Sequence, residues 1–169
     1  MHRVRLRSCL SALALVTGAT GVAIAAAPAL VDATDPALIA ELMRGYGSAR
    51  LDTAEDGTPM VRGRIDGDGF TLFFYDCDDD GKACQSVGFS SFFDKSGVPA
   101  EAVSGWNAAS RFGRAYLRDD GKPVLEMDVQ LGGGVTADNF EGWLDRWAEI
   151  LQDFGEGVVN RAGAGIERP

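Results

Sequence analysis

Histidine is nearly absent from this 169-residue sequence, His2 being the only one. A chain that sheds its first residues therefore has no imidazole. That excludes Ser-His-Asp and Cys-His catalysis, histidine metal sites and histidine pH switches together. Cysteine is scarce as well, with only Cys9, Cys77 and Cys84, and the CxxC spacing of a redox pair is missing. Basic residues are the minority charge: 16 Lys and Arg stand against 25 Asp and Glu, a formal charge of -9. Such a body repels nucleic-acid phosphates and anionic lipid headgroups, so neither is an expected partner. Solubility is the plainest use of the charge. Neither an internal repeat nor a linker divides the chain, and its length suits one ordinary domain.

Long apolar runs are also lacking, except for one. His2, Arg3, Arg5 and Arg7 give a basic start, residues 9–27 are apolar and alanine-rich, and small residues follow. This is the layout of a secretory signal. We expect residues 1–29 to be a signal peptide, with Ala27-Pro28-Ala29 or Ala23-Ile24-Ala25 before the cut. Residues 30–157 would form the folded domain and 158–169 a flexible tail. The rival for the run is an uncleaved anchor, but its Gly, Ala and Thr content makes it weakly hydrophobic, and no stable membrane insertion is expected after removal. Losing Arg3, Arg5 and Arg7 with no acid moves the charge from -9 to -12.

The implied location is periplasmic or secreted. There Cys77 and Cys84, which bracket the turn Asp78-Asp79-Asp80-Gly81-Lys82-Ala83, are expected to form a disulfide. Asp76, Asp78, Asp80 and Gly81 also look like the first half of a calcium loop. The twelfth position is Val87, where a bidentate glutamate is needed, so a solvated acidic turn is the simpler reading. No metal or other cofactor is expected.

The rest of the chain reads as alternating helix and strand patterns. Asp35 and Pro36 start a helix of about three turns, with Leu38, Ile39, Leu42, Met43 and Tyr46 on one face. Strands follow over residues 48–53, 60–66, 70–77 and 85–93, with turns at 55–57 and 67–69. Thr71 to Tyr75 is almost continuously apolar, as for a central strand covered on both faces. Pro99 opens a second helix that carries Val103 and Trp106 inward.

Residues 113–118 and 124–131 then alternate strictly around Asp119-Asp120-Gly121. A three-residue loop with Gly121 left-handed pairs Arg114 with Glu126, Tyr116 with Val124 and Arg118 with Lys122. An Arg114–Glu126 ion pair follows. Thr136 caps a last helix whose stripe of Phe140, Trp143, Leu144, Trp147, Ile150, Leu151 and Phe154 faces the sheet as core or, more sharply, a partner. Beyond Gly155 the chain is expected to fray. The order α-β-β-β-β-α-β-β-α gives an α+β fold, a single antiparallel sheet with packed helices.

Residues 106–131, WNAASRFGRAYLRDDGKPVLEMDVQL, carry a WNxxxRFxRAYLxxxGxPVLEMD pattern. It is made here by Trp106, Asn107, Arg111, Phe112, Arg114 to Leu117, Gly121, Pro123 and Val124 to Asp128. In this the chain resembles the YbjN family of bacterial proteins. The resemblance implies a fold like that of type III secretion chaperones and a role in sensory transduction regulation.

Trp106, Asn107, Arg111, Arg114, Tyr116, Glu126 and Asp128 in the same stretch are the candidate binding surface, for a peptide or an acidic group. The simpler role for them is a network joining helix to sheet. Glu126 and Asp128 could also form a catalytic carboxylate pair, but nothing in the sequence places a cleft beside them, and no catalytic residue is expected. We expect a non-enzymatic protein-binding or chaperone-like regulatory module with a protein or peptide partner. The similar fold adds the expectation of a homodimer. The alternatives are a structural envelope protein without a ligand and, less favoured, a carboxylate-based hydrolase or a calcium-binding module.

Overall fold

Asp-Gly turns set the geometry of the sheet. In the computed structural model, which describes residues 30–163, the same five-residue turn closes three loops. The amides of Ala54, Asp78 and Arg118 donate to the carbonyls of Thr58, Lys82 and Lys122. In each, the glycine at the fourth position (Gly57, Gly81, Gly121) takes a positive φ, which glycine tolerates because it lacks a Cβ. A tighter turn at Asp66 and Gly67, φ 51° and 98°, has the two left-handed residues of a type I′ hairpin. It lies one residue before the turn expected at 67–69.

These turns lie in every strand-to-strand connection but that from the fourth strand to the fifth among β1 (Ser48–Thr53), β2 (Pro59–Ile65), β3 (Asp68–Tyr75), β4 (Ser86–Phe92), β5 (Arg114–Leu117) and β6 (Pro123–Gln130). They form one antiparallel sheet in the order β1-β2-β3-β4-β6-β5. The helices are α1 (Pro36–Met43), α2 (Ala100–Ala109) and α3 (Ala137–Phe154), so the fold is the expected α+β arrangement in the expected order. The hairpin register is also as read: Arg114 lies opposite Glu126 and Tyr116 opposite Val124. Cys77 and Cys84 are joined by a disulfide.

The Asp35 carboxylate accepts from the Leu38 amide at 3.0 Å and starts α1. The helix has eight residues, nearer two turns than three. Tyr46 lies beyond it and reaches across to α3, its hydroxyl 2.8 Å from Asp145 Oδ1. Thr136 caps α3 through the Asn139 amide. From α3, Trp147 stacks on Phe89 with ring centroids 5.2 Å apart and meets Phe70 edge-on at 6.0 Å. Trp147 is therefore core, whereas Trp143 is half-buried beside Phe112.

Two further expectations are corrected. The strand over 71–75 is covered on one face only: Phe70, Leu72 and Phe74 are buried, while Thr71 and Phe73 are partly exposed and Tyr75 is 47% exposed. The chain also does not fray at Gly155. Residues Gly155–Asn160 continue α3 as a π-helical segment, followed by a 3-10 turn at Arg161–Gly163. Val158 and Val159 are buried there, so the tail expected from residue 158 begins inside the core. The expected signal peptide, 1–29, and the last tail residues, 164–169, lie outside the described residues.

Candidate functional site

Strand alternation assigns every side chain of the sheet to one of two faces. The inner face carries Val61, Leu72, Phe74, Phe89, Leu125 and Met127 and is buried against the helices. The outer face carries the other parity, and no described helix lies on it. Across its middle run Thr71, Phe73 and Tyr75 of β3, then Gly88 and Ser90 of β4, then Glu126 and Asp128 of β6. Arg114 and Tyr116 of β5 complete one side.

Four candidate residues meet on this face. The Arg114 guanidinium donates to Glu126 Oε2, and the Tyr116 hydroxyl donates to Glu126 Oε1 at 3.0 Å. Arg114 also lies over the Tyr116 ring, 5.7 Å from its centroid, a cation–π geometry. The Arg114 pKa is raised by its hydrogen bond to Glu126 and by the charge of that carboxylate. Burial pushes the Tyr116 phenol up first, and the Glu126 hydrogen bond adds to it. Both oxygens of Glu126 are thus engaged.

Asp128 lies one alternation further along, above Gly88. A Cβ at Gly88 would come within 2.7 Å of the Tyr75 ring and 2.9 Å of Asp128 Oδ1. The missing side chain is what allows ring and carboxylate to close over β4. The Tyr75 phenol is raised by burial, then by the negative charges of Glu126 and Asp128.

Trp106, Asn107 and Arg111 do not belong to this face. Trp106 is 7% exposed, packs edge-on against Phe154, and donates its indole N–H to Asp153 Oδ2 at 2.7 Å. The Asn107 side chain accepts from the Ala115 amide at 2.9 Å and donates to the Ala115 carbonyl at 2.8 Å. It acts as a short false strand on the free edge of β5, whose backbone groups would otherwise lack partners. Asn107 thus joins α2 to β5, and Trp106 joins α2 to α3. Arg111 sits at the rim, exposed, 5.8 Å from the Phe112 ring centroid.

The sequence reading did not single out Tyr75, Phe92, Arg62 and Arg64, which the fold also places on the outer face. Tyr75 and Phe92 are among its most exposed large apolar groups, at 47% and 51%. The alternation Thr71-Phe73-Tyr75 against Phe70-Leu72-Phe74 was the available signal, masked because both sets are apolar.

Glu126 and Asp128 border an open depression of about 340 Å³ shared with Arg111, Gly113 and Trp143. Another open depression, about 420 Å³, lies elsewhere, between the start of α1, Leu51 of β1 and the disulfide loop. In that loop Asp78 Oδ1 accepts from the amides of Asp80 and Lys82, and Asp76 accepts from Ser86 Oγ. These carboxylates hold the turn. Among the described residues, no group of three or more Asp, Glu, Cys or His is placed to share a metal ion.

Fold and site together define a single-sheet α+β protein with helices on one face and an open, partly aromatic, charged opposite face. The profile of the YbjN family, described as a putative bacterial sensory transduction regulator, matches residues 35–159, and the chain belongs to that family. Its fold is similar to a crystal structure from E. coli titled as YbjN, a putative transcription regulator. The TM-score is 0.52 at 18% identity, covering 78% of this chain and 98% of that one. The comparison with curated proteins gives no match.

Proposed function

We propose that this protein is an exported, non-enzymatic regulatory module that binds a protein partner through the outer face of its sheet, in the manner of a chaperone-like adaptor. One observation carries the reading: the helices cover one face of a six-stranded sheet, and the other presents Tyr75, Phe92 and Tyr116, each more than a third exposed. Exposed aromatics interspersed with charged groups on an uncovered face mark interaction surfaces. The engagement of Glu126 by Arg114 and Tyr116 favours recognition over acid–base chemistry, because a general acid or base must be free to exchange its proton with a substrate. Export rests on the basic start, the apolar run and the Cys77–Cys84 disulfide, which suits an oxidising compartment. The family description as a regulator accords with a binding role.

The test is a photo-crosslinking amino acid at position 75 or 92 of the full-length protein in cells, with position 141 on α3 as control. A discrete adduct at 75 or 92 and none at 141 is expected, in the envelope or secreted fraction. No adduct at either sheet position, or fractionation with the cytosol, overturns the proposal.

A further inference from the structure

Three arginines gather at one end of the outer face, in a chain whose charge is otherwise strongly negative. Arg50 of β1 lies directly opposite Arg62 of β2, and Arg64 follows on the same face two residues on. Like charges directly opposite one another on a sheet are unfavourable. Asp52 relieves part of the repulsion, 2.9 Å from Arg50 and 3.3 Å from Arg62, but one carboxylate does not balance three guanidiniums. Arg50 and Arg62 side chains are 75% and 59% exposed, and Arg64 is anchored by donating to the Gly67 carbonyl at 2.6 Å.

Beside them lies a depression of about 320 Å³ with Arg62 and Arg64 on one wall, Phe92 on the other, and Thr71 and Gly69 as its floor. Gly69 has no positive φ that would demand glycine, and a Cβ built there meets nothing within 4 Å. Neither backbone nor packing calls for the missing side chain; its effect is to leave the depression open.

We propose that this depression is the subsite for an acidic, extended segment of the partner protein, placing a carboxylate between Arg62 and Arg64 and a neighbouring apolar side chain on Phe92 over Gly69. Paired arginines are suited to a carboxylate, which guanidinium groups bind through parallel hydrogen bonds. An exposed phenyl wall 51% accessible has no use for a free inorganic anion but suits an adjacent apolar group. A long polyanion such as DNA would meet the repulsion of the whole acidic chain. A short acidic segment senses chiefly the charges within a Debye length, about 8–10 Å. The inference rests on the proposed partner-binding role and names the chemistry that the partner must present.

The probe is a fluorescently labelled, end-blocked peptide of alternating Glu and Leu, measured by anisotropy against the full-length protein. A matched Lys-Leu peptide and a DNA duplex serve as competitors. Binding of the Glu-Leu peptide is expected, at least about tenfold weaker with Arg62→Gln and Arg64→Gln together. Gly69→Leu, which fills the depression beside Arg64 while leaving both guanidiniums in the chain, should weaken it similarly, and both variants are checked for native melting.

No binding, equal binding of the Lys-Leu peptide, or unchanged affinity in the variants overturns the inference. So does tighter binding of DNA lost in the same variants, or a concentration-dependent dimer that the variants abolish. A crosslinked partner at position 75 that survives Arg62→Gln with Arg64→Gln would sink this inference alone and leave the binding role standing.

Discussion

Replacing Asn107 by alanine isolates the contact that fixes the sheet edge. Its two hydrogen bonds to Ala115, 2.8 and 2.9 Å, satisfy one donor and one acceptor on an edge strand, and Ala115 itself is 4% exposed. Stranding a buried backbone group costs about 1–3 kcal/mol. Asn107 lies at the surface, so water can recover part of each bond, and the low end applies: about 2–3 kcal/mol for the pair. Alanine is the better helix former by about 0.5 kcal/mol, which offsets some of this.

The net expectation for Asn107→Ala is a loss of about 1.5–2.5 kcal/mol, or about 5–10 °C in Tm for a domain of this size. Urea unfolding should show a lower midpoint at unchanged slope. Ser104→Ala, exposed on the same helix, should stay within about 0.5 kcal/mol of the parent. Hydrogen exchange at the Ala115 amide should speed up in Asn107→Ala and not in Ser104→Ala. A variant as stable as the parent, with Ala115 still protected, would refute the edge-capping argument.

Reduction of the Cys77–Cys84 disulfide, which closes a loop of separation 7, should cost about 2–3 kcal/mol; melting with and without reductant measures it, and identical curves would count against a stabilising bridge. A double-mutant cycle on Arg114 and Glu126 should give a coupling of about 0.2–1 kcal/mol, because the Arg114 side chain is 69% exposed and such pairs are weak in water; zero coupling would remove the pair as a source of register. Tyr46 is raised to about 12 by burial first, then by its hydrogen bond to Asp145 and the charges of Asp145 and Glu141. A phenol with its folded pKa above the unfolded value of about 10 stabilises fully below pH 10 and loses that contribution as pH rises toward 12. Tyr46→Phe should lessen the loss across that window, leaving the share of Tyr75 and Tyr116, whose phenols are also raised, and a variant that loses as much as the parent would contradict the assignment.

The hairpin was legible because two local signals agree on it. Alternation fixed which residues share a face, and Asp119-Asp120-Gly121 fixed the loop length, so Arg114 could be set opposite Glu126 without a structure. Trp106 and Asn107 were harder to place, since their partners are long-range or purely backbone: Asp153 lies 47 residues away, and Ala115 offers only its peptide groups. The open face was hidden because Phe73 and Tyr75 are as apolar as Leu72 and Phe74, and an apolar run does not show whether one face or both are covered. Val158 and Val159 were lost among glycines that suggest fraying, yet their burial comes from contacts of the segment after α3 with the rest of the core.

Within the family-like stretch, alternation separates two kinds of work. Inner-face and edge residues such as Trp106, Asn107, Ala115, Leu125 and Met127 are buried or bonded to backbone, so altering them disturbs the fold before it can report on binding. Arg114, Tyr116 and Asp128 are exposed, and surface changes there should cost little stability. Loss of a partner on changing an outer-face residue, at unchanged melting temperature, therefore identifies a contact. The same loss on changing Trp106 or Asn107 would identify only a weakened scaffold. The Arg111 rim position falls between these groups: it is exposed, yet it packs on Phe112, which in turn meets Trp143 edge-on at 5.9 Å. Its substitution is informative only when read beside Phe112→Leu, which alters the packing while leaving the charge in place.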